Sequence, residues 1–377
     1  MSSNENKLGY VDAMRGIAIL MVILVHTSQR VPNLSPLMGR LAEYSQMGVQ
    51  LFFVVSAYTL CLSFERRSKE PYSISSFYIR RLFRIAPLYY IAIPIYFAFH
   101  IVKQHYNSEP ISTTEPYSIV NIVANILFIH GFVPSANNNI VPGGWSIGTE
   151  MAFYLCFPLL FVISKKIAGN RPIQLFALLL FCLGANLALQ LIIIRVTNNS
   201  FQNGNFFYFN IINQLPVFLV GIIAYSLHSQ KIHPIILSRL VSIFGFLIFF
   251  AIPLLLWKSK MQLLFAVIPT ISAISYLFLM NWIKATKRQS GLLCKIGVVS
   301  FSMYIFHFLF AWGLVPTIIG GISGIVNPDI MLLLAFLLTC ALTFCVALIT
   351  QQSIEAKGIS TGAKIISHLQ ERAKRLL

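Results

Sequence analysis

Charge is what this 377-residue chain has least of: Asp and Glu together number 11, and all charged residues make up 10% of it. A soluble domain carries roughly 25% charged residues, so a water-facing surface cannot be built from what is present. Paired cysteines are missing too. Cys61, Cys156, Cys182, Cys294, Cys340 and Cys345 stand in apolar segments with no C-x-x-C pair and no histidine at metal spacing. That pattern argues against a disulfide framework or a zinc site and leaves buried free thiols as the expectation. Internal repeats and low-complexity segments are also lacking. After the first apolar stretch, Ile17 to Val25, the chain offers His26 to Arg30 and no small-residue cleavage site, so a retained first helix is expected.

What the chain does have is apolar length. Hydrophobic residues make up 57% of it and the mean hydropathy is +0.75, against about 20 apolar residues needed for one membrane crossing. Ten runs reach that length: Tyr10 to Thr27, Met47 to Phe64, Leu82 to Val102, Ser146 to Ser164, Ile173 to Ile194, Phe206 to Leu227, Ile235 to Leu256, Leu263 to Ile283, Val298 to Ile319 and Ile330 to Thr350. An eleventh, Ile119 to Phe132, has 14 residues and holds Asn121, Asn125 and His130, so an interfacial or re-entrant helix is expected there. The fold class is therefore all-α and polytopic: a membrane domain over 1–353 and a basic amphipathic tail over 354–377, with Ile359, Ile365, Ile366, Leu369 and Ala373 near helical spacing.

Cations outnumber anions by 17 charges, which in a soluble protein would suggest nucleic acid. Here they fall in short loops, where they read as topology signals and lipid headgroup contacts, and no nucleic-acid partner is expected. With ten crossings and both termini cytoplasmic, the inner segments hold 21 cations and the outer ones 6. The polar stretches His105 to Tyr117 and Asn198 to Asn205 then fall outside. If the eleventh run crossed, every later loop would change sides and the asymmetry would vanish.

Ionisable groups inside spans are costly and point to function. Arg15 and His26 are 11 residues apart, close to three full turns, so they share one helix face about 16 Å apart and suit a shaft through the membrane. Asp12 can pair with Arg15 one turn away, which as a structural ion pair is the plainer reading. Glu150 opens a span from the outside, where a carboxylate also complements the helix dipole. His307 lies one turn from Tyr304, and such groups, like Asn186 with Gln190 or Asn210 with Asn213 and Gln214, also serve as interhelical hydrogen bonds. Arg80, Arg81 and Arg84 offer forked donors for phosphate at the inner mouth of the third span, besides marking topology. Pro87 and Pro94 are expected to kink that span.

Five segments, in order, resemble the acyltransferase 3 family of integral-membrane acyltransferases. They are Asp12 to Ala18 with His26 ten residues beyond Arg15, Gly48 to Ser56, Arg80 to Pro87, Trp145 to Glu150 with Phe153 and Tyr154, and Ser302 to His307. Two departures stand out. Ala57 follows Ser56 where the family usually has glycine, and the chain ends soon after its last span, without the hydrolase-like domain that some members fuse. The resemblance implies acyl transfer, most often acetyl from acetyl-CoA, onto a hydroxyl of a bacterial surface polysaccharide or lipid-linked saccharide, at the inner membrane and with no metal.

An imidazole of ordinary pKa, about 6.5, is mostly neutral at pH 7 and can take a proton from a hydroxyl as it attacks a thioester. His26 is the expected base and Glu150 its companion or an acceptor guide. Arg15, Arg81 and Arg84 suit the phosphates of acyl-CoA, while Ser56 and Tyr304 are the candidate oxyanion donors. An acyl-histidine intermediate is equally allowed. From other classes, a transporter or flippase of a polar lipid, or a scaffold for glycan assembly, remain alternatives, and the oligomeric state is open.

Overall fold

In a computed structural model the described residues are 8–106, 116–169, 173–197, 206–229, 238–257, 264–286, 291–321 and 324–376. The stretch 198–205, most of 105–117, and the loop cations Lys7, Arg171, Lys231, Lys258, Lys260, Lys287 and Arg288 lie outside them, as does Ile235. Among the described residues there are helices and no strand. The helices are α1 (Gly9–Ser28), α2 (Pro36–Tyr44), α3 (Gly48–Arg67), α4 (Ser73–Tyr106), α5 (Ile119–Ile126), α6 (Gly144–Ala168), α7 (Ile173–Thr197), α8 (Phe206–Phe209) and α9 (Ile211–Ser229). They continue with α10 (Arg239–Leu256), α11 (Leu264–Thr286), α12 (Gly291–Val298), α13 (Ser300–Leu309), α14 (Val315–Gly320), α15 (Pro328–Thr350) and α16 (Ala356–Leu376).

Ten helical segments are long and apolar enough to cross a membrane, and they coincide with the ten runs read from the sequence. The eleventh run does not cross. Its helix α5 has 8 residues, about 12 Å of rise against a hydrocarbon core of about 30 Å. Ser118 caps α5 by accepting the Asn121 amide at 3.3 Å. The polar residues of the run explain its path, because Asn121, Asn125 and His130 all turn inward. Tyr89 of α4 donates to Asn125 at 2.6 Å, and His130 Nε2 donates to the Gly144 carbonyl at 2.9 Å. The segment is thereby seated on the start of α6, where Gly131 and Gly148 meet backbone to backbone. A Cβ on Gly148 would come within 2.8 Å of both the Gly131 nitrogen and the His130 ring.

Helices α1, α3, α9 and α11 form the middle of the bundle, whereas α7 and α10 show most of their surface outward. The crossing of α3 with α9 is tight because Gly221 faces the Val54 carbonyl and the Ala57 methyl; a Cβ there would lie 2.4 Å from that oxygen. The small residue at this crossing is thus on α9, and Ala57 is accommodated beside Ser56. Between α7 and α9, Asn186 donates to Asn213 at 2.9 Å, and both Asn213 and Gln214 donate to the Tyr208 carbonyl at 2.8 Å. These amides are interhelical hydrogen bonds, the plainer of the two readings.

Four features depart from the sequence reading. Helix α4 begins at Ser73 and runs unbroken through Pro87 and Pro94. Helix α2, capped by Ser35 with Pro36 in its first turn, leads through a short 3-10 turn straight into α3. Of the six cysteines, all free, only Cys61 is buried, while Cys156 and Cys345 face outward; an apolar span needs no protein cover where lipid supplies it. Lastly, α15 continues through a π turn, Gln351–Glu355, into α16. Of the tail's apolar residues, Ile366 is buried, while Ile359 and Ile365 are exposed. Cation-bearing segments gather at one end of the bundle: Lys165 of α6 pairs with Glu65 of α3, Arg80 with Glu70 at 3.6 Å, and Lys284 lies over the Tyr10 ring.

Candidate active site

Two cavities lie inside the bundle, and Val49 and Tyr304 line both. The first, about 700 Å³, gathers Arg15, Ser56, Arg81, Arg84, Glu150 and Tyr304, six of the seven residues singled out from the sequence. They come from α1, α3, α4, α6 and α13, so no pair of neighbouring helices could have built it. The second, about 1440 Å³, holds the seventh, His26, together with Gln29, Gln50, Asn138, Trp145, Trp257, Phe308 and Trp312. Arg15 and His26 do both face the interior. The shaft they suggest is divided into two chambers.

In the first chamber Glu150 is the hub. Its Oε1 accepts from the Ser56 hydroxyl at 2.5 Å and from the Tyr154 hydroxyl, one turn on, at 2.6 Å. Glu150 therefore orients two hydroxyls on the arginine side, and its hydrogen bonds do not run to His26. Arg15 is held by Asp12 at 3.6 Å and reaches Thr59 at 3.4 Å. The Arg81 guanidinium carbon sits 5.9 Å from the Phe77 ring centre and 5.8 Å from that of Tyr154, within cation–π range. Its Nε is buried with no hydrogen-bond partner. Three guanidinium groups around one small space repel each other, and a phosphate-bearing ligand would relieve that repulsion while filling their empty donor positions.

The wall between the chambers is built on Gly143, whose φ of +76° suits glycine. A Cβ there would stand 3.0 Å from both the Tyr304 oxygen and the Phe308 ring. Tyr304 donates to the Gly143 carbonyl at 2.9 Å and lies 2.7 Å from the Ser146 hydroxyl.

In the second chamber His26 packs among His307, Phe308 and Trp312, with ring centres 5.2, 4.3 and 5.8 Å away. Its Nδ1 stands 3.4 Å from Gln29 Oε1. An amide oxygen only accepts, so Nδ1 carries the proton and Nε2 is the free lone pair. His307 repeats the arrangement: Nδ1 donates to the Tyr304 carbonyl at 2.7 Å, and buried Nε2 has no partner. A π turn, Phe310–Leu314, follows at once. Such turns shift the backbone pairing ahead of them, and here side chains take up two carbonyls, His307 that of Tyr304 and Tyr96 that of Ile305 at 2.6 Å. The pairing of His307 with His26 was missed by sequence reasoning, although Tyr304-Ile305-Phe306-His307 was among the segments singled out.

Residues 8–351 match the family model described as an acyltransferase domain, that of the acyltransferase 3 family. Among curated proteins the chain is similar to "Regulator of hypoxia-inducible factor 1" of Caenorhabditis elegans, at 26% identity over 192 residues, covering 44% of this chain and 36% of that protein. It is also similar to "Acyltransferase MdmB" of Streptomyces mycarofaciens, at 27% identity over 175 residues, covering 44% of this chain and 42% of that protein. The chain thus spans less than half the length of these relatives. No solved structure matches it. With the match running from the first span to the last, the chain belongs to the acyltransferase 3 family of multi-pass membrane acyltransferases.

Proposed function

We propose that this protein moves a short acyl group, acetyl in the simplest case, from cytoplasmic acyl-CoA to a hydroxyl of a surface polysaccharide or lipid-linked saccharide. The setting is a bacterial inner membrane, with both termini cytoplasmic and acidic headgroup lipids around the basic loops. The observation that carries the reading is the pair of chambers sharing Val49 and Tyr304, arginines lining one and an imidazole pair the other. In this reading Arg15, Arg81 and Arg84 grip the donor's phosphates, and the thioester reaches the wall at Tyr304. Ser56, held by Glu150, and the Tyr304 hydroxyl are the groups nearest to serve the developing oxyanion.

The acceptor occupies the second chamber. His26 Nε2 takes the proton of the acceptor hydroxyl while that oxygen attacks the thioester carbon. The tetrahedral intermediate collapses to the new ester and CoA thiolate, which receives the proton from the imidazolium. Transfer first to His26 and then to the hydroxyl gives the same products. The test is to supply isotope-labelled acetyl-CoA to membranes holding the protein and to look for label in glycan as a hydroxylamine-sensitive ester. Two chambers in series also favour a second reading, passage of a polar lipid or glycan precursor. That reading predicts movement across the membrane with no new ester, and would be upheld if labelled glycan never formed.

A further inference from the structure

Glu355 is the one carboxylate buried in the bundle that the chemistry above leaves unused among the described residues; it is 5% exposed. It closes the π turn Gln351–Glu355 that joins α15 to α16. A π turn inserts one residue into the helical register, and at 100° per residue this swings the helix face that follows. Here the swing turns Glu355 toward α13, where it accepts a hydrogen bond from Ser302. Thr350, from the last turn of α15, stands 3.0 Å from the same Ser302 oxygen. Ser302 lies on α13 two residues before Tyr304 and five before His307. The same helix therefore carries the wall between the chambers and one imidazole of the pair.

The other side of the turn is equally constrained. On α16, Gly358 and Gly362 lie flat against α4, where a Cβ would come within 2.5 Å of the Phe83 carbonyl and 2.9 Å of the Phe83 Cβ respectively. Phe83 stands between Arg81 and Arg84, and the charge of Arg84 acts on Glu355. Farther along, Gln370 reaches Glu70 at 3.5 Å. The helix following the last span is therefore anchored on α4, and Glu355 is the point at which that anchored helix grips α13.

We infer that Glu355 is a positioning residue: through Ser302 it fixes the rotation of α13, and so the place of Tyr304 and His307 between the two chambers. The kinetic side of this inference rests on the acyl-transfer reading; the Glu355 to Ser302 coupling does not. In the full-length protein, Glu355→Ala should lower kcat about tenfold while the donor KM stays within about twofold, because the arginines are untouched. Glu355→Gln keeps an oxygen that accepts from Ser302 and should recover most of the loss. Ser302→Ala should match Glu355→Ala, and the double variant should be no worse than either single one, as expected for partners in one interaction. The same four proteins, compared by thermal unfolding in detergent, should show the same non-additivity with no substrate present. If the stability effects add and Glu355→Gln is as impaired as Glu355→Ala, the inference is overturned. If they couple as described but no protein transfers acyl groups, the coupling stands and the acyl-transfer reading fails.

Discussion

The imidazoles of His26 and His307 lie 5.2 Å apart, centre to centre, each with Nδ1 engaged by an oxygen acceptor. Two neutral rings that keep Nε2 free can share one abstracted proton, and a second positive charge between them is disfavoured by burial and repulsion. His307→Ala should therefore lower transfer about 10- to 100-fold, less than loss of the base itself, which is typically worth roughly 10² to 10⁴-fold. Steady-state rates for the two single variants and the double variant check this. Equal rates for His307→Ala and wild type would reduce His307 to a packing residue.

Arg15, Arg81 and Arg84 line one chamber, and a guanidinium fork fits phosphate where an ammonium acts as a point charge. Arg84→Lys should raise the dissociation constant for acetyl-CoA about tenfold, equivalent to about 1.4 kcal/mol, with Arg15→Lys and Arg81→Lys behaving alike. Acceptor affinity should not change. Calorimetric titration of the purified variants measures this, and three wild-type affinities would return the arginines to topology signals.

His130 lies outside the spans, where burial holds its imidazole below the ordinary pKa. Its folded value is lower than its unfolded value, so its share of stability is present above about pH 6.5 and is lost as pH falls from there toward the folded value. Wild type should lose more thermal stability between pH 7.5 and pH 5.5 than His130→Gln does. Parallel losses in the two proteins would contradict this assignment.

The segment 119–132 turns back without crossing, so a phosphatase fused after Asn137 should be active on the outer face. A cytoplasmic signal at Asn137 would mean that the segment crosses after all. It would also exchange the sides of every later loop.

Hydropathy alone gave ten crossings and one short excursion, because membrane length is a local property of sequence. The arginine chamber was legible in part, since buried charges stand out wherever they occur in a span. What could not be read was which of them meet. Ser56 and Glu150 are 94 positions apart, and helix order in space decides whether they touch. Glu150 was matched with His26 on chemistry, but the rotation of α6 gives it to Ser56 and Tyr154 instead. Glu355 looked like part of a surface tail because a π turn leaves no mark in hydrophobic spacing.

The central claim is that His26, facing the chamber opposite the arginines, activates the acceptor hydroxyl. It is tested most directly by His26→Ala in membranes supplied with labelled acetyl-CoA, with the protein level and acetyl-CoA affinity measured on the same preparation. The account predicts a stable variant that binds acetyl-CoA normally and forms labelled ester at one hundredth of the wild-type rate or less. Ester formation at about a tenth of the wild-type rate or better would contradict it.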